Sequence, residues 1–336
     1  MKRVGNLWPQ ICDYENLYQA YIATVKGRRY KPPLLKYTDN LDFNLSKLHD
    51  ELVSLKWQPK IAFTKVVYFP KKRVITAPIP YDRVAFHAII DVIRPYFEKR
   101  FITDSFACIA GRGTFQAVCR VQRMIHGVQT SCGKGYVLKA DIHAYFANID
   151  HSICKQLIRK VIKDPSVLLI LDRIIDSSPG DVGLPLGALS SQLMANVYLN
   201  ELDHFVKEKL CVRNYARFMD DFVIVEESKE KLKEYLDKIR VFLIDVLKLE
   251  LNPKTDIFQI KQGVDFCGYR IFPTYLLPRK RNVKNARRRL KKLHKDVLDG
   301  VISLEKYKRS LNSYLGYSKH CKSRKTVDSL LEELTF

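Results

Sequence analysis

Tyr215-Ala216-Arg217-Phe218-Met219-Asp220-Asp221-Phe222-Val223-Ile224-Val225 sets two adjacent carboxylates between runs of aromatic and β-branched residues. Such runs favour strands and the short acidic centre is a turn signal, so the stretch reads as a β-hairpin with Asp220 and Asp221 at its tip. Adjacent carboxylates repel unless solvent, an arginine or a divalent cation stands before them. Alone, an Asp-Asp pair is most simply a solvated acidic turn. A third carboxylate at another strand end would change that reading.

Upstream, Tyr136-Val137-Leu138-Lys139-Ala140-Asp141 alternates into a strand that ends on such a carboxylate, and Phe146 follows. Strand ends are where α/β folds collect ligands. If the strands are neighbours in one antiparallel sheet, Asp141, Asp220 and Asp221 converge into a cluster suited to two Mg²⁺ ions ~3.5–4 Å apart. Hard oxygen donors, with no histidine or cysteine at matching spacing, favour Mg²⁺ over zinc, with Mn²⁺ as a substitute. Two-metal sites serve nucleases as readily as polymerases, so the surroundings must choose.

Downstream, residues 228–247 read as an amphipathic helix, 257–260 as a strand, and 263–272 as a further strand whose glycine permits close backbone approach. Upstream, the Gly/Pro-rich stretch 177–187 precedes a long helix starting near Ala188. Such a loop either presents backbone amides to a ligand or is only a connection. Helices are predicted over 13–25 (N-capped by Asp13), around Leu45–Leu55, over 82–99, from near Phe115, and over 151–163 and 165–176. Residues 26–33 form a basic loop, equally a phosphate contact or a solvated turn. Strands 63–69 and 74–77 flank the basic turn Pro70-Lys71-Lys72-Arg73, which is either a triphosphate clamp or an edge hairpin whose lysines oppose aggregation.

A chain of 336 residues with a net charge of +22 is long enough for two or three subdomains and calls for a polyanionic partner, nucleic acid first. No apolar run is long enough to span a bilayer, and the N-terminus lacks a secretory segment; a cytoplasmic protein is expected. The eight cysteines form no Cys-x-x-Cys pair, which speaks against structural zinc and for reduced, mostly buried thiols. Residues 279–336 hold 17 basic and 6 acidic side chains, half of the excess charge, on a helix whose Leu290, Leu293 and Val297 face inward. That segment reads as a phosphate-tracking unit.

Taken in order, several blocks resemble the successive motifs of reverse transcriptases. They are Pro70–Arg73, Asp141 with Phe146, Gly183-Leu184-Pro185-Leu186-Gly187-Ala188-Leu189-Ser190-Ser191-Gln192, Phe218–Asp221, Asn252-Pro253-Lys254 and Phe266-Cys267-Gly268-Tyr269. Within that family the chain is most similar to the enzymes of bacterial and phage diversity-generating retroelements. These carry a small aliphatic residue, Gly, three residues and Ser-Gln, as Leu186 to Gln192 do here. A group II intron protein is expected to extend into a maturase region, and a retron enzyme to show a Val-Thr-Gly triplet. Those types, phage-defence enzymes and a catalytically silent RNA-binding scaffold are the alternatives.

The resemblance implies an α+β right-hand polymerase: an N-terminal helical extension (1–60), fingers (61–135), an antiparallel-sheet palm (136–272, with fingers helices inserted near 151–180) and a basic helical thumb (273–336). It implies that Asp141, Asp220 and Asp221 are catalytic metal ligands. Phe146 would sit under the sugar and select dNTPs, Arg73 would pair with the triphosphate, Gln192 would border the nascent base pair, and Lys254 would approach the pyrophosphate. Phe266, Cys267, Gly268 and Tyr269 would form the primer grip, and Arg279, Lys280, Arg281, Lys284, Arg287, Arg288 and Lys291 would track the nucleic acid. Relatives commonly have a cation where this chain has Ile109, so Arg112 is the candidate replacement in contacting the nucleotide. Partners would be template RNA, cDNA or primer, dNTPs and a small basic accessory protein.

Overall fold

Strand Tyr136–Asp141 buries Val137, Leu138 and Ala140, and strand Asp221–Glu226 buries all four residues from Phe222 to Val225, because helices cover both faces of the sheet they share. The computed structural model describes residues 2–60, 63–68, 73–185 and 187–334. In chain order the helices and strands are α1 (Trp8–Cys12), α2 (Tyr14–Val25), α3 (Pro32–Thr38), α4 (Leu41–Val53), β1 (Phe63–Val67), β2 (Arg73–Ala77), α5 (Pro80–Glu98), α6 (Thr114–Cys132) and β3 (Tyr136–Asp141). There follow α7 (His151–Arg159), α8 (Pro165–Ile175), α9 (Leu189–His204), β4 (Tyr215–Phe218), β5 (Asp221–Glu226), α10 (Lys229–Leu247) and β6 (Asp256–Gln259). The chain ends with β7 (Val264–Phe266), β8 (Tyr269–Ile271), β9 (Leu276–Pro278), α11 (Lys280–Leu298), α12 (Leu304–Ser318) and α13 (Arg324–Glu332).

The central sheet has the order β4-β5-β3-β6, all antiparallel. The two-residue period of a strand sorts its side chains into two cores. Leu138, Ala140, Tyr215, Phe222 and Ile224 join the larger core with α5, α9 and α10. Val137, Ala216, Val223 and Val225 meet Val118, Val121 and Met124 of α6 and Val264, Phe266 and Ile271 of the β7-β8-β9 sheet. Lys139 and Asp141 share a face with Val137, and Asp221 shares one with Val223, so these charges look toward the β7–β8 hairpin.

The N-terminal helices pack on α5. Asp13 caps α2 through the Asn16 amide, and the Asp164 carboxylate accepts from the Leu7 and Trp8 amides, tying the first helix to the start of α8. The last three helices enclose a small core of their own around Ala286, Leu290, Tyr307, Tyr314 and Leu330. Among the described residues no helix is long and apolar enough to cross a membrane.

Three expectations change in detail. The hairpin tip is Met219-Asp220, and Asp221 is already the first residue of β5, paired with Phe218. The stretch 263–272 is a hairpin: Cys267 and Gly268 have φ of 47° and 90° and join β7 to β8 in a two-residue turn. Both central residues at positive φ mark a type I′ turn, which matches the twist of its strands, so Gly268 serves the turn itself. All eight cysteines are free thiols, but only Cys12 and Cys154 are buried, the rest being partly or fully exposed.

Candidate active site

β3 and β5 run antiparallel in a register that sets Asp141 directly opposite Asp221, and the Ile142 amide donates to the Asp220 carbonyl at 3.1 Å. The three carboxylates thus stand at one end of the central sheet, two on adjacent strands and one on the turn. Side chains directly opposite in an antiparallel pair are close neighbours, so like charges there repel. Each of the paired acids has a polar companion: Lys139 Nζ lies 3.5 Å from Asp221 Oδ2, and Asn252 Nδ2 donates to Asp141 Oδ2 at 3.2 Å. Burial pushes the Asp221 carboxyl up to about 7, with Asp141 and Asp220 adding to the rise and Lys139 opposing it.

These residues suit a hard divalent cation. Their donors are carboxylate oxygens, and Asp221 Oδ1 is buried without a hydrogen-bond partner, the kind of orphan acceptor that a cation satisfies. As they stand, no three His, Cys, Asp or Glu side chains among the described residues are gathered into a metal cage. Mutual repulsion, with Lys139 and Asn252 each engaging one acid, accounts for that spread.

The turn is braced from beneath by Arg217. Its guanidinium, fully buried, meets the fully buried Asp203 carboxylate through Nε (2.7 Å) and Nη2 (2.6 Å). Nη1 donates to the Met219 carbonyl at 2.9 Å and to Asn196 Oδ1 at 3.3 Å, and Tyr215 Oη donates to Asp203 Oδ1 at 2.7 Å. Met219 has φ of 55°, a conformation costly for a side-chain-bearing residue, and the bond to its carbonyl helps hold it there. Sequence reasoning gave Arg217, Asp203, Lys139 and Asn252 no role. The signals were an arginine inside an apolar strand and a lysine two residues before Asp141, hence on its face.

Phe146 lies in the short helical turn Tyr145–Ala147, entered through Ala144 at φ of 43°. Its ring meets Tyr145 edge-on at 5.5 Å, and Tyr145 Oη donates to the Ala195 carbonyl of α9 at 2.5 Å. The glycine-rich loop returns to this turn, with the Leu184 amide bonded to the Phe146 carbonyl at 2.7 Å and the Gly183 amide to that of Ile149 at 2.8 Å. Gly183 has φ of 99°, and a Cβ there would stand 3.3 Å from the Ala147 carbonyl oxygen. Gly183→Ala is therefore expected to lower stability by about 1–2 kcal/mol in chemical denaturation. Gln192 is half-buried in the first turn of α9.

Lys254 is exposed on a turn anchored beside Asp141, since the Asn252 amide donates to the Asp141 carbonyl at 2.7 Å and Asn252 Oδ1 accepts from the Lys254 amide at 3.1 Å. Arg112 Nη1 donates to the carbonyls of Ile102 (2.5 Å) and Ser105 (2.8 Å), which commits that nitrogen to bracing its own loop. Ile109 is buried. Arg73 begins β2; its side chain, Pro70 to Lys72 and Leu186 lie outside the described residues.

On the β7–β8 hairpin, Phe266 and Tyr269 are buried and Cys267 is partly exposed. Burial and the nearby Asp221 charge push the Cys267 thiol well up, which places this turn next to the carboxylates. The Gly268 carbonyl accepts from Tyr317 Oη (2.5 Å), Asn282 Nδ2 (3.2 Å) and the Arg279 amide (3.2 Å), welding the turn to α11 and α12. Along α11, Lys280, Arg281, Lys284 and Arg288 are exposed, whereas Arg287 and Lys291 pair with Glu333 at 3.4 and 3.0 Å.

The family model "Reverse transcriptase (RNA-dependent DNA polymerase)" matches residues 65–271, more than half of the chain. Protein YkfC of Escherichia coli is 28% identical over 69% of this chain and 72% of its own length. The group II intron-encoded protein LtrA of Lactococcus lactis is 24% identical over 77% of this chain, which spans 54% of that relative. Among solved structures, apo telomerase from Candida tropicalis superimposes with a TM-score of 0.53 at 12% identity, over 82% of this chain and 59% of that one.

Proposed function

This chain belongs to the reverse transcriptase family, and we propose that it acts as an RNA-directed DNA polymerase, adding dNTPs to a primer 3′-OH along an RNA template. Its fold is that of a right-hand polymerase, with fingers, an antiparallel-sheet palm and a helical thumb. We place the N-terminal extension in 1–60, the fingers in 61–135, the palm in 136–272 and the thumb in 273–336. The observation that carries the proposal is the Asp141–Asp221 register with Asp220 on the adjoining turn.

In this reading Asp141, Asp220 and Asp221 hold two Mg²⁺ ions, with Mn²⁺ as a substitute. When bound, such ions neutralise charge on the phosphates and assist displacement of pyrophosphate. Lys139 and Asn252 orient the carboxylates. The Phe146 ring lies beneath the sugar and excludes a 2′-hydroxyl, Gln192 borders the new base pair, and Arg73 and Lys254 face the phosphates. The Cys267-Gly268 turn supports the primer end, and the exposed cations of α11 follow the nucleic-acid backbone. Template-dependent extension of a DNA primer on RNA with dNTPs and Mg²⁺ is expected; its absence from the folded protein, with the template's cognate accessory factors present, overturns the proposal.

The joint between grip and thumb gives a further expectation. Tyr317→Phe removes a donor to the Gly268 carbonyl and is expected to shorten products made per binding event by about twofold to fivefold in a trap assay, leaving single-nucleotide addition intact.

The finer reading is an error-prone enzyme of a diversity-generating retroelement, acting with a small basic accessory protein; the block from Leu186 to Gln192 supports it. The likeness to LtrA favours an intron-type enzyme instead. Sequencing the cDNA separates them: misincorporation concentrated at template adenines supports the first, an even spectrum the second.

A further inference from the structure

We infer that His151 is a positioning residue for sugar selection: it clamps the 181–184 strap onto the turn that carries Phe146 and thereby sets how closely that ring approaches the incoming sugar. The inference rests on the reading of Phe146 as the sugar-facing residue.

The strap is held by four contacts. The His151 amide donates to the Asp181 carbonyl at 3.0 Å, the Gly183 amide to Ile149 at 2.8 Å and the Leu184 amide to Phe146 at 2.7 Å. The fourth is a side-chain bond, His151 Nε2 to the Gly183 carbonyl at 2.7 Å. A carbonyl only accepts, so Nε2 carries the proton. The three backbone bonds survive most substitutions, whereas the fourth depends on this one imidazole. The ring is 5% exposed, and its other nitrogen faces Asp176 Oδ1 at 3.7 Å, an acid already paired with Lys155 at 2.6 Å.

The strap ends on Phe146 itself, through Leu184. On its other side the turn hangs from α9 by Tyr145, and it is entered through the left-handed Ala144. Loosening the strap frees the side of the turn away from α9, so the Phe146 ring gains room to withdraw. A withdrawn ring changes little for a deoxyribose and removes the clash that rejects a ribose. None of these bonds touches β3 or β5, so the carboxylates keep their places.

The test compares kcat/KM for dTTP and UTP with the full chain on a primed RNA template and Mg²⁺, alongside melting curves. Phe146→Ala is expected to raise the UTP-to-dTTP ratio about 100-fold. His151→Phe keeps an aromatic ring but no donor and is expected to raise it on the order of tenfold, with kcat for dTTP unchanged. His151→Gln can still donate to Gly183 and is expected to raise it less. A ratio unchanged in His151→Phe but raised in Phe146→Ala overturns the role of His151 alone. An unchanged ratio in Phe146→Ala overturns the sugar-facing reading and this inference with it. Equal loss with both nucleotides and a lowered melting point marks a merely structural histidine and likewise overturns the inference.

Discussion

Asp220→Ala is expected to abolish templated synthesis, lowering single-turnover incorporation by about 10³-fold or more, while the protein stays folded. The turn placement of Asp220 supports both halves. Its backbone carbonyl keeps the bond from Ile142, so the hairpin geometry survives loss of the side chain. Removing one of three neighbouring carboxylates also relieves repulsion, so the melting temperature should hold or rise. Asp221→Ala should cost less, about 10- to 100-fold, because its carboxylate is shared with Lys139 and is the more reluctant of the group to ionise. Equal losses in the two variants would contradict this division, and substantial activity in Asp220→Ala would sink the proposed chemistry.

Asp203→Ala should instead unfold the site. The Arg217 guanidinium would remain fully buried without its carboxylate, and Tyr215 would lose its acceptor. Breaking a buried pair by removing one partner costs about 3–5 kcal/mol, a large share of the stability of such a domain. Replacing both partners with apolar side chains, as Asp203→Leu with Arg217→Met, should recover most of that loss. Synthesis should not recover with it, since the Met219 carbonyl and its strained backbone lose the guanidinium that braces them. Denaturant titration beside primer extension separates the two quantities. A double variant that regains both stability and synthesis would show that Arg217 serves stability alone.

Much of the architecture was legible from local pattern. The alternation in 136–141, the β-branched run 222–225 and the amphipathic stretch 228–247 correspond to β3, β5 and α10, because strand and helix periods are imposed by which face is buried. Boundaries depended on turn chemistry that reads ambiguously. Met219 and Cys267 both adopt positive φ, where glycine is the usual signal, so the hairpin tip moved by one residue and the 263–272 strand proved to be two. The thiols were expected inside on composition, yet Cys108, Cys132 and Cys211 sit on exposed positions.

By itself, the sequence determined the residue types at the site, the order of the blocks that carry them and the concentration of positive charge in the last 58 residues, since these are properties of a linear string. The tertiary structure alone decided the partnerships: Asp221 opposite Asp141, Asn252 on Asp141, Arg217 on Asp203, His151 on Gly183 and Tyr317 on Gly268. Those pairs are separated by 14 to 111 residues. No local propensity links positions so far apart; strand register and helix packing bring them together, and each buried polar group then bonds the partner that the fold delivers.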